Sequence, residues 1–220
     1  MASGQGRRIK GMEPEDRRRQ RREELLESAL ELFASNGYAN TSIEQICQNA
    51  TVGYKAFYDE FATKEQLFIA LYDSIGGKLL PAVFDAFGQE GAPEDRLPAI
   101  VAAYIRAAME DRRMAKVLFV TSAGVSEAVD LHRRAAHRAV ADIFAQLYRS
   151  GLVDSTPEVG VFNGRSIALG VTGGMGEIVV DFLLDDSSPD VEDLITNLVQ
   201  FVRTVMQGMS VEAEALRRKS

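Results

Sequence analysis

The stretch that decides the fold is residues 41–64, TSIEQICQNATVGYKAFYDEFATK. It predicts a short helix, a tight turn, a second short helix and the start of a third. Thr41 and Glu44 have the spacing of a capping box, in which each side chain satisfies a free amide of the first helical turn. Thr63 and Gln66 repeat that spacing at the start of the third helix. Because an α-helix fits the major groove of DNA and a second helix can brace it, this order indicates a DNA-reading helix-turn-helix.

Apolar residues in and around this stretch follow helical spacing. The first helix places them at i, i+3, i+4 and i+7, which is the pattern of one buried face. These residues are Ile43, Ile46, Cys47 and Ala50. A helix upstream carries a similar stripe, formed by Leu26, Ala29, Leu30 and Phe33. Gly37 follows that stripe at a left-handed cap position, so the upstream helix is predicted to end there.

Residues 20–72, about a quarter of the chain, resemble the DNA-binding domain of the Tet repressor family. The resemblance is carried by Ile46–Ala50, Val52, Phe57, Tyr58, Phe61 and Lys64–Phe68. It implies an all-α fold with an N-terminal three-helix DNA-binding domain that contains the helix-turn-helix. It also implies a larger C-terminal helical domain for ligand binding and dimerisation. We therefore predict a disordered basic arm at residues 1–16, the DNA-binding domain at 17–64 and the ligand-binding and dimerisation domain at 65–220.

The resemblance also implies which residues meet DNA. Tyr54 and Lys55 match positions where the family contacts base edges. Four further residues match positions that usually hold phosphates, namely Thr41, Ser42, Tyr58 and Lys64. Because phosphate contacts position a protein while base contacts specify its site, we expect Lys55 to carry sequence preference.

The chain departs from the family pattern at the turn and at the end of the second helix. The family usually has Gly where Thr51 stands and a small polar residue where Gly53 stands. It commonly has an aromatic residue and His where Asp59 and Glu60 stand. Either these two acids point away or form a salt bridge, or one of them accepts a hydrogen bond from a cytosine amine in the groove.

The net charge of −7 is unevenly distributed along the chain. Residues 1–22 hold eight Lys and Arg against three Asp and Glu, a net charge of +5, and the remainder carries −12. Such asymmetry indicates a basic arm on an acidic body. On a helix, Arg17, Arg18, Arg21 and Arg22 share one side, where like charges four apart cost about 0.2–0.5 kcal/mol per pair. Phosphate contact explains this cluster better than helix stability does, so Arg18 and Arg22 join the predicted DNA contacts. A merely solvated helix end is the alternative.

Two apolar helices, at about residues 158–185 and 189–209, are predicted to form a dimer interface. Five glycines stud the first of them, Gly164, Gly170, Gly173, Gly174 and Gly176. Glycine in a helix interior costs roughly 1 kcal/mol against alanine, so these residues indicate close helix approach. The resemblance implies a four-helix homodimer interface, and an ordinary intrachain bundle is the alternative. The predicted interface residues are Ile167, Val171, Gly174, Ile178, Leu198, Val202 and Val205.

The middle helices are where the resembled family keeps its ligand cavity. The residues predicted to line it are Tyr72, Tyr104, Phe119, His137, Phe144 and Met175. Aromatic residues at helical spacing are also common in a plain core, and His137 also suits a core or surface position. The expected ligand is small and apolar or amphipathic.

Nothing in the sequence supports catalysis, a cofactor or a metal site. It contains no Gly-rich phosphate loop, nucleophile elbow, HExxH or CxxC pattern. Cys47, the one cysteine, lies on an apolar helix face without a metal-ligand partner, so we expect it in the core. No signal peptide is recognised and no apolar run approaches the roughly 20 residues that span a bilayer. We therefore expect a cytoplasmic protein without a membrane partner.

Together these patterns predict a homodimeric, ligand-responsive transcription regulator, a repressor by resemblance, that binds double-stranded DNA at a palindromic operator. We do not expect an enzyme. The alternatives are an all-α enzyme or ligand carrier with an incidental helix-turn-helix, and an architectural DNA-binding protein without a ligand. A cavity of several hundred cubic ångströms in the middle domain favours the regulator, and a fully packed one favours the architectural protein.

Overall fold

The computed structural model describes residues 14–89, 93–147, 164–185, 187 and 190–217. Every regular element in these residues is helical, which confirms the all-α prediction. The helices are α1 (Pro14–Asn36), α2 (Ile43–Asn49), α3 (Tyr54–Glu60), α4 (Lys64–Gly88), α5 (Pro93–Glu110), α6 (Arg112–Ala115), α7 (Glu127–Leu147), α8 (Gly164–Leu184) and α9 (Val191–Arg217). A π-helical segment, Lys116–Thr121, continues α6.

The first helix begins inside the predicted basic arm. Residues 1–13 of that arm lie outside the described residues, but residues 14–16 belong to α1. Proline suits the first turn of a helix because the amide it lacks would have no helical partner there. Glu15 and Asp16 follow Pro14, where their negative charge complements the positive end of the helix dipole.

The helix-turn-helix starts with a different cap from the one expected. Ser42, not Thr41, is the N-cap of α2, because its Oγ accepts a hydrogen bond from the Gln45 amide at 3.1 Å. The Gln45 side chain returns the bond by accepting from the Ser42 amide at 2.8 Å. Thr41 is buried instead, and its hydroxyl donates to the Gly37 carbonyl at 2.8 Å. Thr63 does cap α4, accepting from the amide three residues on at 3.0 Å.

A first apolar core joins the three-helix head, α1 to α3, to the first half of α4. It continues into the π-helical segment and the start of α7. Its largest fully buried side chains include Phe33, Phe57 and Phe68. Because this core crosses the domain boundary predicted at residue 64, the head is packed directly on the rest of the chain.

A second apolar core joins the end of α4 to α5, α8 and α9. Ion pairs at its rim connect the same helices. Arg106 of α5 donates to both carboxylate oxygens of Glu192 on α9, at 3.0 and 2.8 Å. Arg203 of α9 donates to Asp95 of α5 at 2.7 Å. The exposed ends of these pairs contribute little stability individually, so α9 is held on α5 mainly by apolar burial.

This second core corrects part of the predicted dimer interface. Leu198 and Val202 are 0% and 1% exposed inside one chain, so they cannot contact a partner. Gly174 lies against Phe201 of α9, where an added Cβ would stand 3.0 Å from the ring Cζ. For this glycine, the close approach is therefore within one chain. The other four predicted residues are half-buried, namely Ile167, Val171, Ile178 and Val205.

Two helices, Lys64–Gly88 and Arg165–Leu184, are long and apolar enough to cross a membrane by length and composition alone. The expectation that no segment approaches this length is therefore wrong. Both helices contribute to the apolar cores, however, with Leu67 and Ile75 of α4 in the first and Val179 of α8 in the second. A core helix passes the same test of length and composition, so these two helices are weak evidence for a membrane.

Thr51, in the tight turn between α2 and α3, has a φ of 55°. Among the described residues it is the one non-glycine residue in the left-handed region. The turn is closed by a hydrogen bond from the Val52 amide to the Cys47 carbonyl at 2.9 Å. Thr51 therefore replaces the family's usual glycine at a position whose backbone conformation favours glycine. A residue with a side chain adopts this left-handed conformation at a cost of about 1–2 kcal/mol.

We predict that Thr51→Gly raises the free energy of unfolding by about 0.5–1 kcal/mol. Relief of the left-handed strain should exceed the extra entropy that glycine gains in the unfolded chain. Urea denaturation followed by circular dichroism measures the change. The control makes the opposite change: Gly37→Ala adds a side chain at a φ of 77° and should lower the free energy of unfolding. A less stable Thr51→Gly variant would show that the threonine side chain stabilises the turn despite its strain.

Candidate nucleic-acid interface

The α3 helix exposes three of the residues predicted to meet DNA. Tyr54 and Tyr58 are 51% and 49% exposed, and their rings lie 5.5 Å apart. Tyr58 also packs edge-on against the fully buried Phe57, at 5.3 Å. Lys55 is exposed in the first turn of the same helix. These side chains place two hydroxyl groups and an ammonium group on one rigidly supported surface.

The α2 helix holds α3 from behind. Ile46 and Cys47 are buried in the first core, and Ser28 of α1 donates its hydroxyl to the Ile46 carbonyl at 3.0 Å. Burial raises the pKa of the Cys47 thiol, as expected for a core cysteine. Ser42 stays exposed at the amino end of α2. The first turn of α2 is therefore accessible, while its inner face fixes the position of α3.

Lys64 and Thr41, two predicted phosphate contacts, are engaged within the chain. Lys64 Nζ donates to the carbonyls of Tyr38 and Thr41 at 2.8 and 2.7 Å, and it lies 4.0 Å from the centroid of the Tyr38 ring. Partial burial lowers the pKa of this ammonium group. Lys64 therefore secures the loop between α1 and α2 to the start of α4. Thr41 has its hydroxyl turned inward, so it is not part of the exposed surface.

The acid at the end of α3 forms a salt bridge, which was one of the alternatives left open by the sequence. The Glu60 side chain is 2% exposed. Its two oxygens lie 3.1 and 3.2 Å from the Nε of Arg18, which donates to them. Arg21 lies 3.8 Å from the same carboxylate. The preceding acid, Asp59, is exposed.

Arg22, the last of the predicted cationic contacts, lies over the ring of Phe61, which follows Glu60 in the sequence. Its guanidinium carbon is 4.5 Å from the centroid of the Phe61 ring. Such a cation–π contact is favourable by about 0.5–1 kcal/mol at an exposed site. The basic side of α1 therefore adjoins the carboxyl end of α3.

Three of the predicted pocket residues belong to α4, α5 and the π-helical segment. The rings of Tyr104 and Phe119 lie 6.4 Å apart in an edge-on arrangement. Tyr72 is buried, which raises the pKa of its hydroxyl to about 12. Burial also raises the pKa of the Tyr104 hydroxyl, with the nearby Tyr72 as a further cause. These residues combine aromatic surface with hydroxyl groups held away from water.

The α7 helix carries the predicted pocket residue His137 and adds two polar residues that the sequence analysis did not predict, His132 and Arg133. His132 Nε2 lies 2.6 Å from Asp73 Oδ1, and its ring packs edge-on against Tyr72 at 5.8 Å. Arg133 has one quarter of its side chain exposed. Burial and the positive charge of Arg133 lower the pKa of the half-buried His137. An Arg or His on a helix is ordinarily solvated, so only the packing of α7 on α4 identifies His132 and Arg133.

Of the other two predicted pocket residues, Met175 of α8 packs against the second core, as Tyr104 and Phe119 also do. The side chain of Phe144 lies outside the described residues.

A groove of about 420 Å³ lies on the head. It is lined by Glu23, Glu24, Glu27, Ser28, Glu31, Asn49 and Ala50. Its carboxylates disfavour a phosphate, so we do not assign it to DNA. Over the described part of the chain, no three His, Cys, Asp or Glu side chains converge as metal ligands.

The fold and this surface define a helix-turn-helix protein with a cluster of arginines on its first helix and a larger helical region behind it. Residues 25–71 match the sequence model of the family described as bacterial regulatory proteins, tetR family. This match lies on the head and the start of α4. Over this head region the chain is therefore similar to TetR-family regulators.

Named relatives agree with this assignment. TcmR of Streptomyces glaucescens, an HTH-type transcriptional regulator, is 35% identical over 65 residues, which are 30% of this chain and 29% of TcmR. The chain thus matches less than a third of that relative. FasR of Mycolicibacterium smegmatis, an HTH-type transcriptional activator, is 26% identical over 188 residues, covering 84% of this chain and 82% of FasR. FadR of Bacillus subtilis in complex with stearoyl-CoA has the same fold, with a TM-score of 0.69 and 16% identity over 83% of this chain and 98% of FadR.

Proposed function

We propose that this chain is a homodimeric transcription regulator that binds double-stranded DNA at a palindromic operator and is released from it by an amphipathic ligand. The observation that carries the proposal is the exposed surface of Tyr54, Lys55 and Tyr58 on α3, supported from beneath by the buried Phe57. A recognition helix reads base edges mainly with its first turn. Tyr54 and Lys55 occupy that turn.

Lys55 supplies base recognition in this proposal. An exposed ammonium at the start of a recognition helix can donate to the N7 and O6 acceptors of guanine in the major groove. Ser42 and Tyr58 flank it with hydroxyl groups suited to phosphate oxygens. The buried Thr41 hydroxyl has no part in the proposed surface.

We predict that Lys55→Ala weakens binding to the specific site by about 1–3 kcal/mol and relaxes the sequence preference. Each variant would be used to select duplexes from a random-sequence pool, and the enriched sequences would be compared. Lys78→Ala is the matched control, because Lys78 is an exposed lysine on α4, outside the head. An unchanged consensus for Lys55→Ala would contradict its assigned role.

The dimer in this proposal uses the open side of α8. Gly170, Gly173 and Gly176 have nothing within 4 Å of an added Cβ, unlike Gly174. The first two are exposed, so no part of their own chain needs them to be small. The close approach of a helix from a second protomer would explain why these positions are glycine. A dimer also presents two recognition helices about 34–36 Å apart, or a multiple of that distance, as a palindromic site requires.

We predict that Gly173→Glu converts the dimer to a folded monomer that binds the operator weakly. The position is open in one chain, so the protomer should accept the side chain, whereas a dimer contact would bury its charge without a partner. Analytical ultracentrifugation would measure the mass and circular dichroism the fold. The matched control is Gly77→Glu, an exposed helical glycine of α4 that is equally open. A dimeric Gly173→Glu variant would place the interface elsewhere.

The ligand that we propose is a long-chain acyl amphiphile. Tyr72, Tyr104 and Phe119 provide apolar surface with buried hydroxyl groups, and Arg133 and His137 of α7 add polar groups nearby. The FadR structure, which shares this fold, is a complex with stearoyl-CoA. An acyl chain matches the aromatic surface, and an acidic head group matches the arginine. The half-buried state of Tyr104 and Phe119 leaves part of each ring available to such a ligand.

Two polar contacts link α1 of the head to α6 and the π-helical segment, and a ligand can act through them. Arg113, beside the π-helical segment, forms an ion pair with Glu27 of α1 at 2.9 Å. Thr121 donates its hydroxyl to the Phe33 carbonyl at 3.4 Å. A ligand that prefers a different arrangement of this segment would weaken operator binding by its differential affinity for the two states. The relative FasR carries the name of an activator, so the direction of regulation is part of what must be measured.

We predict that stearoyl-CoA raises the melting temperature of the protein and weakens its binding to the selected duplex. A ligand at a hundredfold excess over its dissociation constant stabilises the folded state by about 2.7 kcal/mol. Differential scanning fluorimetry and fluorescence anisotropy would follow the two effects, with coenzyme A alone as the control. Tighter DNA binding in the presence of the acyl-CoA would contradict the proposed release by the ligand. No stabilisation would reject the acyl amphiphile.

A further inference from the structure

Glu60 is a buried acid at the carboxyl end of the helix that the proposed function turns toward DNA. Its side chain is 2% exposed, although a carboxylate at the end of a seven-residue surface helix would ordinarily remain in water. A buried carboxylate is costly unless it is paired and hydrogen-bonded. Among the described residues, Glu60 meets both conditions through α1, where Arg18 donates to both its oxygens and Arg21 lies 3.8 Å away.

The ion pair buries the Glu60 carboxylate but leaves the Arg18 guanidinium accessible. Arg18 keeps 65% of its side chain exposed while its Nε is bonded to Glu60. Within the described residues, the two terminal amino groups of this guanidinium form no hydrogen bond. They supply four further N–H donors in a fixed plane. The carboxylate thus orients the guanidinium by its inner edge and leaves its outer edge for an anion.

Two neighbouring arginines extend this surface. Arg21 is 39% exposed, and Arg22 lies over the buried Phe61 ring at 4.5 Å. With one carboxylate among three guanidinium groups, the cluster of Arg18, Arg21, Arg22 and Glu60 has a net charge of +2. This cluster, which we call the arginine clamp, adjoins the end of α3, whereas the base-reading residues lie at its start.

We propose that Glu60 is a positioning residue for DNA binding, which holds Arg18 in place to contact a backbone phosphate beside the groove that α3 enters. This inference rests on the proposed function. In helix-turn-helix complexes the recognition helix, here α3, lies in the groove, and the helix before it, here α2, crosses the backbone. A cation that is packed against α3, as Arg18 is, is therefore held near the phosphates that border the groove. A guanidinium fixed in advance loses less entropy when it binds a phosphate, and its planar fork suits a two-point contact. The acid therefore promotes binding to a polyanion.

The test is the sign of the effect of Glu60→Gln. This variant keeps the size of the side chain and removes its charge. If Glu60 only repels DNA, the variant binds more tightly. If it positions Arg18, the variant binds more weakly, and the slope of log K against log salt flattens by about 0.9 for each phosphate that a subunit no longer neutralises. The probe is the duplex most enriched by the wild-type protein from a random-sequence pool, titrated by fluorescence anisotropy at several salt concentrations.

Two further variants separate positioning from simple repulsion and from folding. Asp59→Asn removes the same charge one residue earlier, at an exposed site, and should tighten binding or leave it unchanged. In an Arg18→Ala background, Glu60→Gln should flatten the salt slope no further, because the residue it positions is absent. Independent, additive effects of the two substitutions would overturn the proposal.

A charge exchange keeps the proposal testable if Glu60→Gln unfolds. The double variant Arg18→Glu with Glu60→Arg restores an ion pair between α1 and α3, so a purely structural pair predicts full recovery of DNA binding. The positioning role predicts a folded protein, by circular dichroism, with a flattened salt slope, because a carboxylate now occupies the outer site. Wild-type binding by the exchanged pair, or tighter binding by Glu60→Gln, overturns this inference alone. Absence of duplex binding by the wild-type protein overturns the proposed function as well.

Discussion

The packing of Phe33 against Phe68 is the constraint on which the head and its connection to the body depend. The two rings lie 5.3 Å apart, and Tyr38 contacts both, at 5.4 and 5.5 Å. The Phe33 carbonyl also accepts hydrogen bonds from the Gly37 amide at 3.1 Å and from the Thr121 hydroxyl at 3.4 Å. Truncating a buried phenylalanine costs about 3–5 kcal/mol, a large part of the 5–15 kcal/mol that stabilises a typical domain. Phe33 thus joins the end of α1 to the next loop and to α4 through its ring, and to the π-helical segment through its carbonyl.

This shared core makes the head an extension of the body rather than an independent module. The π-helical segment packs on α1, α4 and α8, and Arg113 before it bridges Asp111 and Glu27 at 2.7 and 2.9 Å. A π-helical turn breaks the regular hydrogen-bond spacing of a helix and recurs at functional sites. A packed core tends to switch between discrete arrangements rather than deform gradually. A ligand near Tyr104 and Phe119 would therefore act on the head through the same segment that carries Phe119.

Charge is arranged in this protein so that an acidic chain still offers a cationic surface. The net charge is −7, yet the arginines of α1 are gathered beside α3. Lys64, a further cation near that surface, is instead drawn inward by two carbonyls and the Tyr38 ring. The intrachain partner of each cation determines which of its N–H donors remain available. Counting charges along the sequence therefore identifies the basic segment but not the groups available to DNA.

The sequence by itself determined the all-helical fold and the helix-turn-helix, because these rest on local signals. The spacing of Ile43, Ile46 and Cys47, the cap at Thr63 and the glycine at position 37 each act within a few residues along the chain. Only the tertiary structure decided which faces are buried against one another. It placed Leu198 and Val202 in the core of one chain and turned the Thr41 hydroxyl away from solvent. It also paired Glu60 with Arg18 across 42 residues of sequence. Such contacts depend on the relative placement of helices, which helical periodicity leaves open, because a stripe of apolar residues shows that a face is covered but not what covers it.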